Sequence, residues 1–235
     1  MEQADKADRL LASGNLLGPL HGVPVTVKDV WWLAGVPTTG GTLGRKDFVP
    51  TEDNPLVARL KRAGAIPIGK TNLPEYGCAF ETDNLVYGRT NNPYDTTRTP
   101  GGSSGGEASI IAAGGSPLGL GGDGAGSLRW PAHCCGVATI KPTWGLVPSV
   151  THLVAGGAGP GGQWVQGGPI ARYVEDLALV LPLLAGPAPG DPYAIEAKVR
   201  DTGKVSLEQL KVAFFKDNGF VSPTTEIQDY VAHKK

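Results

Sequence analysis

The sequence predicts an α/β fold with a mixed, twisted sheet flanked by helices. Three observations carry that expectation. Helix-like and strand-like segments alternate along most of the 235 residues. Short apolar runs at 23–27 and 118–121 are bounded by turn residues, as buried strands are. No break in composition is sharp enough to divide the chain, so one domain over 1–235 is expected.

Element by element, residues 4–13 have a weak helical pattern. In 23–27, Val23, Val25 and Val27 alternate with other residues and read as a strand, which carries Lys28 and Asp29 at its far end. Asn54-Pro55 opens a helix, with Asn as N-cap and Pro at the first position. Leu56, Val57, Leu60 and Ala63 line one face of it, and Gly64 ends it. Residues 65–69 read as a short strand and 91–100 as a polar loop. Ser104-Gly-Gly-Glu107 has the spacing of a capping box, with 108–113 as its helix. Strands are expected at 118–121, 137–140 and 210–215, and a flexible glycine-rich loop at 156–168. Helices are expected at 174–185, bent by Pro182, and from Thr225 onward.

Bulk properties exclude several classes. The net charge of −1 argues against an electrostatic nucleic-acid binder. Three cysteines, Cys78, Cys134 and Cys135, suit neither a disulfide framework nor a zinc site, so a reducing cytoplasm is expected. The opening MEQADKADRLLASG does not read as a secretory leader, because acids interrupt a short apolar run. The least charged stretch, 108–122, is too short and glycine-rich for a membrane span.

The chemistry concentrates in TPGGSSGGEAS and GGDGAGSLRWP, which place Ser103 and Ser127 in glycine-rich settings 24 residues apart. Three readings compete. Gly119, Gly121 and Gly124 match a dinucleotide fingerprint by letters, but the acid expected about 20 residues later is missing. Gly101 to Gly105 matches a nucleophile elbow around Ser103, with Asp176 and His152 or His233 as partners, but no strand precedes it. The third reading uses both serines and Lys28. A serine hydroxyl needs a base, and a lysine serves once burial lowers its pKa. Small residues before Ser127 let backbone N–H groups converge on an oxyanion, although a tight turn with a capping serine has the same spacing.

GGSSGGEASIIAAGGSPLGLGGDGAGSLRWPA, with LHGVPVTVKDV, IGKTNLPEYG, TNNPYDTTRTPGGSS and IKPTWGLVP, resembles the amidase signature family from Leu20 nearly to the end. The resemblance implies an amide C–N hydrolase without metal or cofactor, working through a Ser-cisSer-Lys triad and an acyl-enzyme. Ser127 would be the nucleophile, Ser103 the relay serine after a cis peptide bond, and Lys28 the base. The N–H groups of Gly124, Ala125, Gly126 and Ser127 would hold the oxyanion, where the family usually has Thr-Gly-Gly-Ser. Ser104, Asp123 and Arg129 would support the site. Trp31, Tyr76, Cys78 and Phe80 are candidates for the border of a cleft taking a small-molecule amide, with buried packing the other reading of Trp31. Members of the family are about twice as long, so the chain is expected to be incomplete at both ends, with exposed edges that favour a homo-oligomer. The alternatives are the amidase subunit of a glutamine-dependent tRNA amidotransferase and a catalytically silent fragment.

Overall fold

The computed structural model describes residues 1–149, 164–196, 198–199, 203, 205–211 and 217–233. Packing divides the chain into two compact units, Met1–Val199 and Arg200–Lys235. The first holds helices α1 (Glu2–Ala12), α2 (Pro55–Arg62), α3 (Gly105–Ala112), α4 (Arg129–Cys135) and α5 (Val174–Leu184). Its strands are β1 (Pro24–Lys28), β2 (Ile66–Thr71), β3 (Leu118–Asp123), β4 (Ala138–Thr139) and β5 (Gln166–Ala171). The second unit holds a 3₁₀ turn, Leu207–Gln209, and helix α6 (Thr225–His233).

The five strands form one mixed sheet in the order β2-β1-β3-β5-β4. β1 runs parallel to β2 and β3, and β5 runs antiparallel to β3 and β4. Alternation along the strands gives the sheet two unlike faces. Val25 and Val27 of β1 and Leu118 and Leu120 of β3 join the main core, with Leu56, Val57 and Leu60 of α2 and Leu177, Val180, Leu181 and Leu184 of α5. The opposite face carries Thr26 and Lys28 of β1, Gly119 and Gly121 of β3, and Ile170 of β5. That face receives α3, whose Ile111 packs with Leu128 and Ile170.

Local sequence accounts for most boundaries. Asn54 caps α2 by accepting the Leu56 N–H at 2.9 Å, and Pro55 occupies the first turn, where its missing N–H costs nothing. Arg59 on α2 donates to the carbonyls of Leu184, Ala185, Gly186 and Pro187, so one guanidinium satisfies the open end of α5. Helix α5 begins at Val174 as expected and contains Pro182.

Three expectations need correction or fall outside the described residues. The loop expected at 156–168 is strand from Gln166, because Gly167 and Gly168 pair with Gly122 and Gly121 of β3. A glycine strand shows no side-chain period, so nothing in the sequence marks it. Residues 150–163 lie outside the described residues, as do 212–216, which held most of the strand expected at 210–215. The capping box does not form: Ser104 occupies the N-cap position of α3 without a side-chain cap bond, and its hydroxyl and the Glu107 carboxylate turn into the fold instead.

The paired glycines let large side chains pack directly on backbone. Trp31 lies against Gly122 on one face, and Leu128 against Gly121 on the other. A Cβ at Gly121 would sit 2.5 Å from Leu128 Cδ2 and 3.0 Å from Ser104 Oγ. Gly121→Ala is therefore expected to destabilise the protein by about 1–3 kcal/mol, measured by urea denaturation; an unchanged midpoint would show that the packing gives way freely.

Candidate active site

The site forms where β1 and β3 end. Lys28 is the last residue of β1, and its side chain points to the face covered by α3, where it is 2% exposed. Its Nζ donates to Ser103 Oγ at 2.7 Å, Ser104 Oγ at 2.9 Å and the Gly122 carbonyl at 3.4 Å. Ser103 and Ser104 stand just ahead of α3, and the Gly102–Ser103 peptide bond is cis. Gly102 lies flat against the 79–81 backbone, where a Cβ would fall 2.8 Å from the Phe80 carbonyl carbon. The Ser104 N–H donates to the Ser127 carbonyl at 3.0 Å, which ties the two serine segments together.

Burial strips water from Lys28 and lowers its pKa to about 7, although Glu107 and Asp123 pull it back up. A lysine in this state is neutral over part of the physiological range and can accept a proton. Ser127 is half-buried and lines the same cavity as Lys28 and Ser103. Among the described residues its hydroxyl makes no hydrogen bond. The chain of polar contacts is thus closed from Lys28 to Ser103 and open at Ser127.

Asp123 organises the loop between β3 and α4. It accepts N–H bonds from Gly126 at 2.8 Å and Leu128 at 3.0 Å, and Arg129 grips both its oxygens at 2.9 and 3.0 Å. Burial alone would raise its pKa, but the bonds from Arg129 and the loop amides outweigh it and hold the group at about 2. The Gly126 amide is thereby turned to Asp123. The amides of Gly124, Ala125 and Ser127 donate no hydrogen bond among the described residues. Ala125 stands outside the left-handed region, since Tyr76 is the sole non-glycine residue with positive φ among the described residues, so its methyl group is accommodated.

A cavity of about 550 Å³ opens above these groups. The polar floor is Lys28, Ser103 and Ser127, and the walls include Val30, Trp31, Tyr76, Cys78, Phe80, Trp164 and Val165. All four expected border residues line it. Trp31 does so from within the core, fully buried, with its Nε1–H donating to the Gly121 carbonyl at 3.0 Å. Tyr76 takes φ 51° and donates its N–H to the Gly40 carbonyl at 2.7 Å. Phe80 is 56% exposed at the mouth. Of the fingerprint glycines, Gly119 and Gly121 lie within β3 and only Gly124 follows it, and no strand immediately precedes Ser103, so neither competing motif has its required context. His152 lies outside the described residues.

Sequence reasoning missed three features. Lys70 and Asp29 form a buried ion pair at 2.9 Å, and Thr39 donates to Asp29 through its N–H and hydroxyl. Trp164 and Val165 complete the cavity wall, beside a glycine-rich stretch that obscured them. Glu107 is fully buried, a role signalled by its i,i+4 spacing to Ile111 on an apolar helix.

The Amidase family model matches residues 1–235. An indoleacetamide hydrolase of Bradyrhizobium diazoefficiens is 42% identical, over 92% of this chain and 41% of that protein. A glutamyl-tRNA(Gln) amidotransferase subunit from a Picosynechococcus species is 43% identical, over 89% of this chain and 42% of that protein. The structure of a bacterial aryl acylamidase of the amidase signature family superposes with a TM-score of 0.77 at 34% identity, over 84% of this chain and 41% of that one. The chain thus spans about two fifths of the length of the curated relatives it matches.

The Asp123 carboxyl ordinarily titrates at 3.8 and in the fold at about 2, so the folded state holds its proton less tightly. The stability it contributes is complete above 3.8 and is lost as pH falls through about 2. Asp123→Asn keeps the shape and removes the charge. Its stability, followed by urea denaturation, is expected to fall less steeply than the wild type's across that window; parallel curves would count against the assignment.

Proposed function

The chain belongs to the amidase signature family, and from that premise we propose that it carries the reacting groups of an amide hydrolase. Lys28 is the base, Ser103 the relay and Ser127 the nucleophile. The observation that supports this most is a buried lysine, its pKa brought to about 7, bonded at 2.7 Å to a serine that shares a cavity with a second serine.

The sequence of proton movements follows from the contacts. Neutral Lys28 takes the Ser103 proton while Ser103 takes that of Ser127, whose oxygen adds to the amide carbonyl carbon. The oxyanion is received by the amides of Gly124, Ala125 and Ser127, which are free of other bonds among the described residues. The C–N bond then breaks, and the relay returns its proton to the departing nitrogen. Water attacks the acyl ester, gives a proton back to the relay and releases the acid, which restores Ser127. Asp123 and Arg129 fix the loop that presents Ser127 and take no proton.

The walls favour an apolar or aryl acyl group. Val30, Trp31, Phe80, Trp164 and Val165 offer hydrocarbon and ring faces, and the one cation they surround among the described residues is Lys28 itself. A second reading, glutamine as the amide donor for a tRNA amidotransferase, is favoured by the similarity to such subunits. Turnover of aryl amides and of glutamine by one preparation separates the two.

Ser127→Ala is expected to lower kcat by about 10³-fold or more and to abolish labelling by a fluorophosphonate probe. The base must be uncharged, so kcat/KM is expected to rise with pH through about 7. Folded wild-type protein that takes no label at Ser127 would overturn the proposal in favour of a silent fold.

A further inference from the structure

Glu107 is a buried carboxylate that the proton relay leaves unused. It reaches from α3 onto the sheet face that carries Lys28. Its Oε2 accepts the Thr26 hydroxyl at 2.6 Å, and its Oε1 accepts the Thr71 hydroxyl at 2.7 Å. Thr26 lies two residues before Lys28 and so points the same way. Thr71 stands opposite Lys28 in the β1–β2 register. Gly119, the β3 partner of Thr26, has no side chain, and a Cβ there would overlap Glu107 Oε2. Three strands therefore shape one slot for this carboxylate beside the lysine.

We propose that Glu107 is a positioning residue for Lys28: its carboxylate, clamped by two threonine hydroxyls on the lysine's own sheet face, sets how readily Lys28 gives up its proton. The inference rests on the reading of Lys28 as the base. The surrounding charges favour it. Lys70, the neighbour of Thr71 on β2, adds positive charge near Glu107 but is already paired with Asp29. Asp123, at the end of β3, is held by Arg129. Lys28 and Glu107 remain as the two buried groups of opposite sign with no contact ion pair among the described residues, so each is the nearest uncommitted charge for the other. Burial pushes the Lys28 ammonium down to about 7 and the Glu107 carboxyl up to about 7, and each opposes the other's displacement. The two groups then titrate as a pair.

The experiment is an NMR titration of the full chain. The Lys28 side-chain ¹³Cε resonance is followed with pH in the wild type and in Glu107→Gln, which keeps the volume and an acceptor oxygen but removes the charge. The Lys28 midpoint is expected to fall by about one pH unit, and the acid limb of kcat/KM to move the same way. Should Glu107→Gln fail to fold, Lys28→Met gives the reciprocal reading: the Glu107 ¹³Cδ midpoint is expected to rise. An unchanged Lys28 midpoint in folded Glu107→Gln, or an unchanged Glu107 midpoint in Lys28→Met, would overturn the proposal and leave Glu107 as packing alone. Neither titration requires turnover. Linked midpoints in a protein that takes no label at Ser127 would uphold the coupling and refute the hydrolase, whereas labelling with unlinked midpoints would do the reverse.

Discussion

An ammonium group driven into the protein interior is the constraint from which the rest of this structure follows. Lys28 ends a strand whose Val25 and Val27 anchor the main core, so the backbone at 28 has no freedom to swing the side chain into water. Its charge must then be weakened by lost solvation, met by hydroxyl and carbonyl oxygens, and balanced by acids at one remove. Ser103, Ser104 and Gly122 provide the oxygens. Glu107 and Asp123 provide the balancing charge. Each of these residues needs a further device to be where it is: a tight backbone approach for Ser103, a threonine pair for Glu107, and the Arg129 guanidinium with the amides of Gly126, Leu128 and Arg129 for Asp123.

That hierarchy explains why acids surround the site without touching the lysine. A direct carboxylate contact would hold the proton on Nζ and preclude the role of base proposed for it. Here the nearest acids are occupied: Asp29 by Lys70 and Thr39, Asp123 by Arg129 and its loop, Glu107 by two hydroxyls. The lysine is left with neutral neighbours at contact distance and negative charge only farther off. The same arrangement turns the Gly126 amide to Asp123 and leaves those at 124, 125 and 127 without a hydrogen bond among the described residues.

Much of this was legible in the sequence, for reasons that differ by element. The helix after Asn54-Pro55 announces itself through local chemistry that packing merely reinforces. Strand β1 shows its valine alternation, and that alone puts Lys28 at a strand end. Ser103 and Ser127 stood out by their glycine-rich settings, but spacing alone left a tight turn equally open, and it was the resemblance to the amidase signature family that implied their roles. Glu107 was misread because Ser-x-x-Glu satisfies two demands at once, and a helix cap is the local one; the tertiary demand from Thr26 and Thr71 prevailed. Strand β5 was invisible because Gly167 and Gly168 carry no side chains, so no period could appear. The order of strands, with β5 inserted between β3 and β4, depends on pairing energies that no single segment contains.

The glycines that back β3 against β5 also decide where this site can adapt. With Trp31 and Leu128 resting on bare peptide from opposite sides, the sheet is a thin, fully occupied wall that has no room to yield to a differently shaped ligand. Accommodation has to come from the exposed rim, where Tyr76, Cys78, Phe80 and Trp164 stand partly in solvent. On the proposed reading, selectivity among acyl groups becomes a property of that exposed rim, which can be recoded without disturbing the polar floor of Lys28, Ser103 and Ser127.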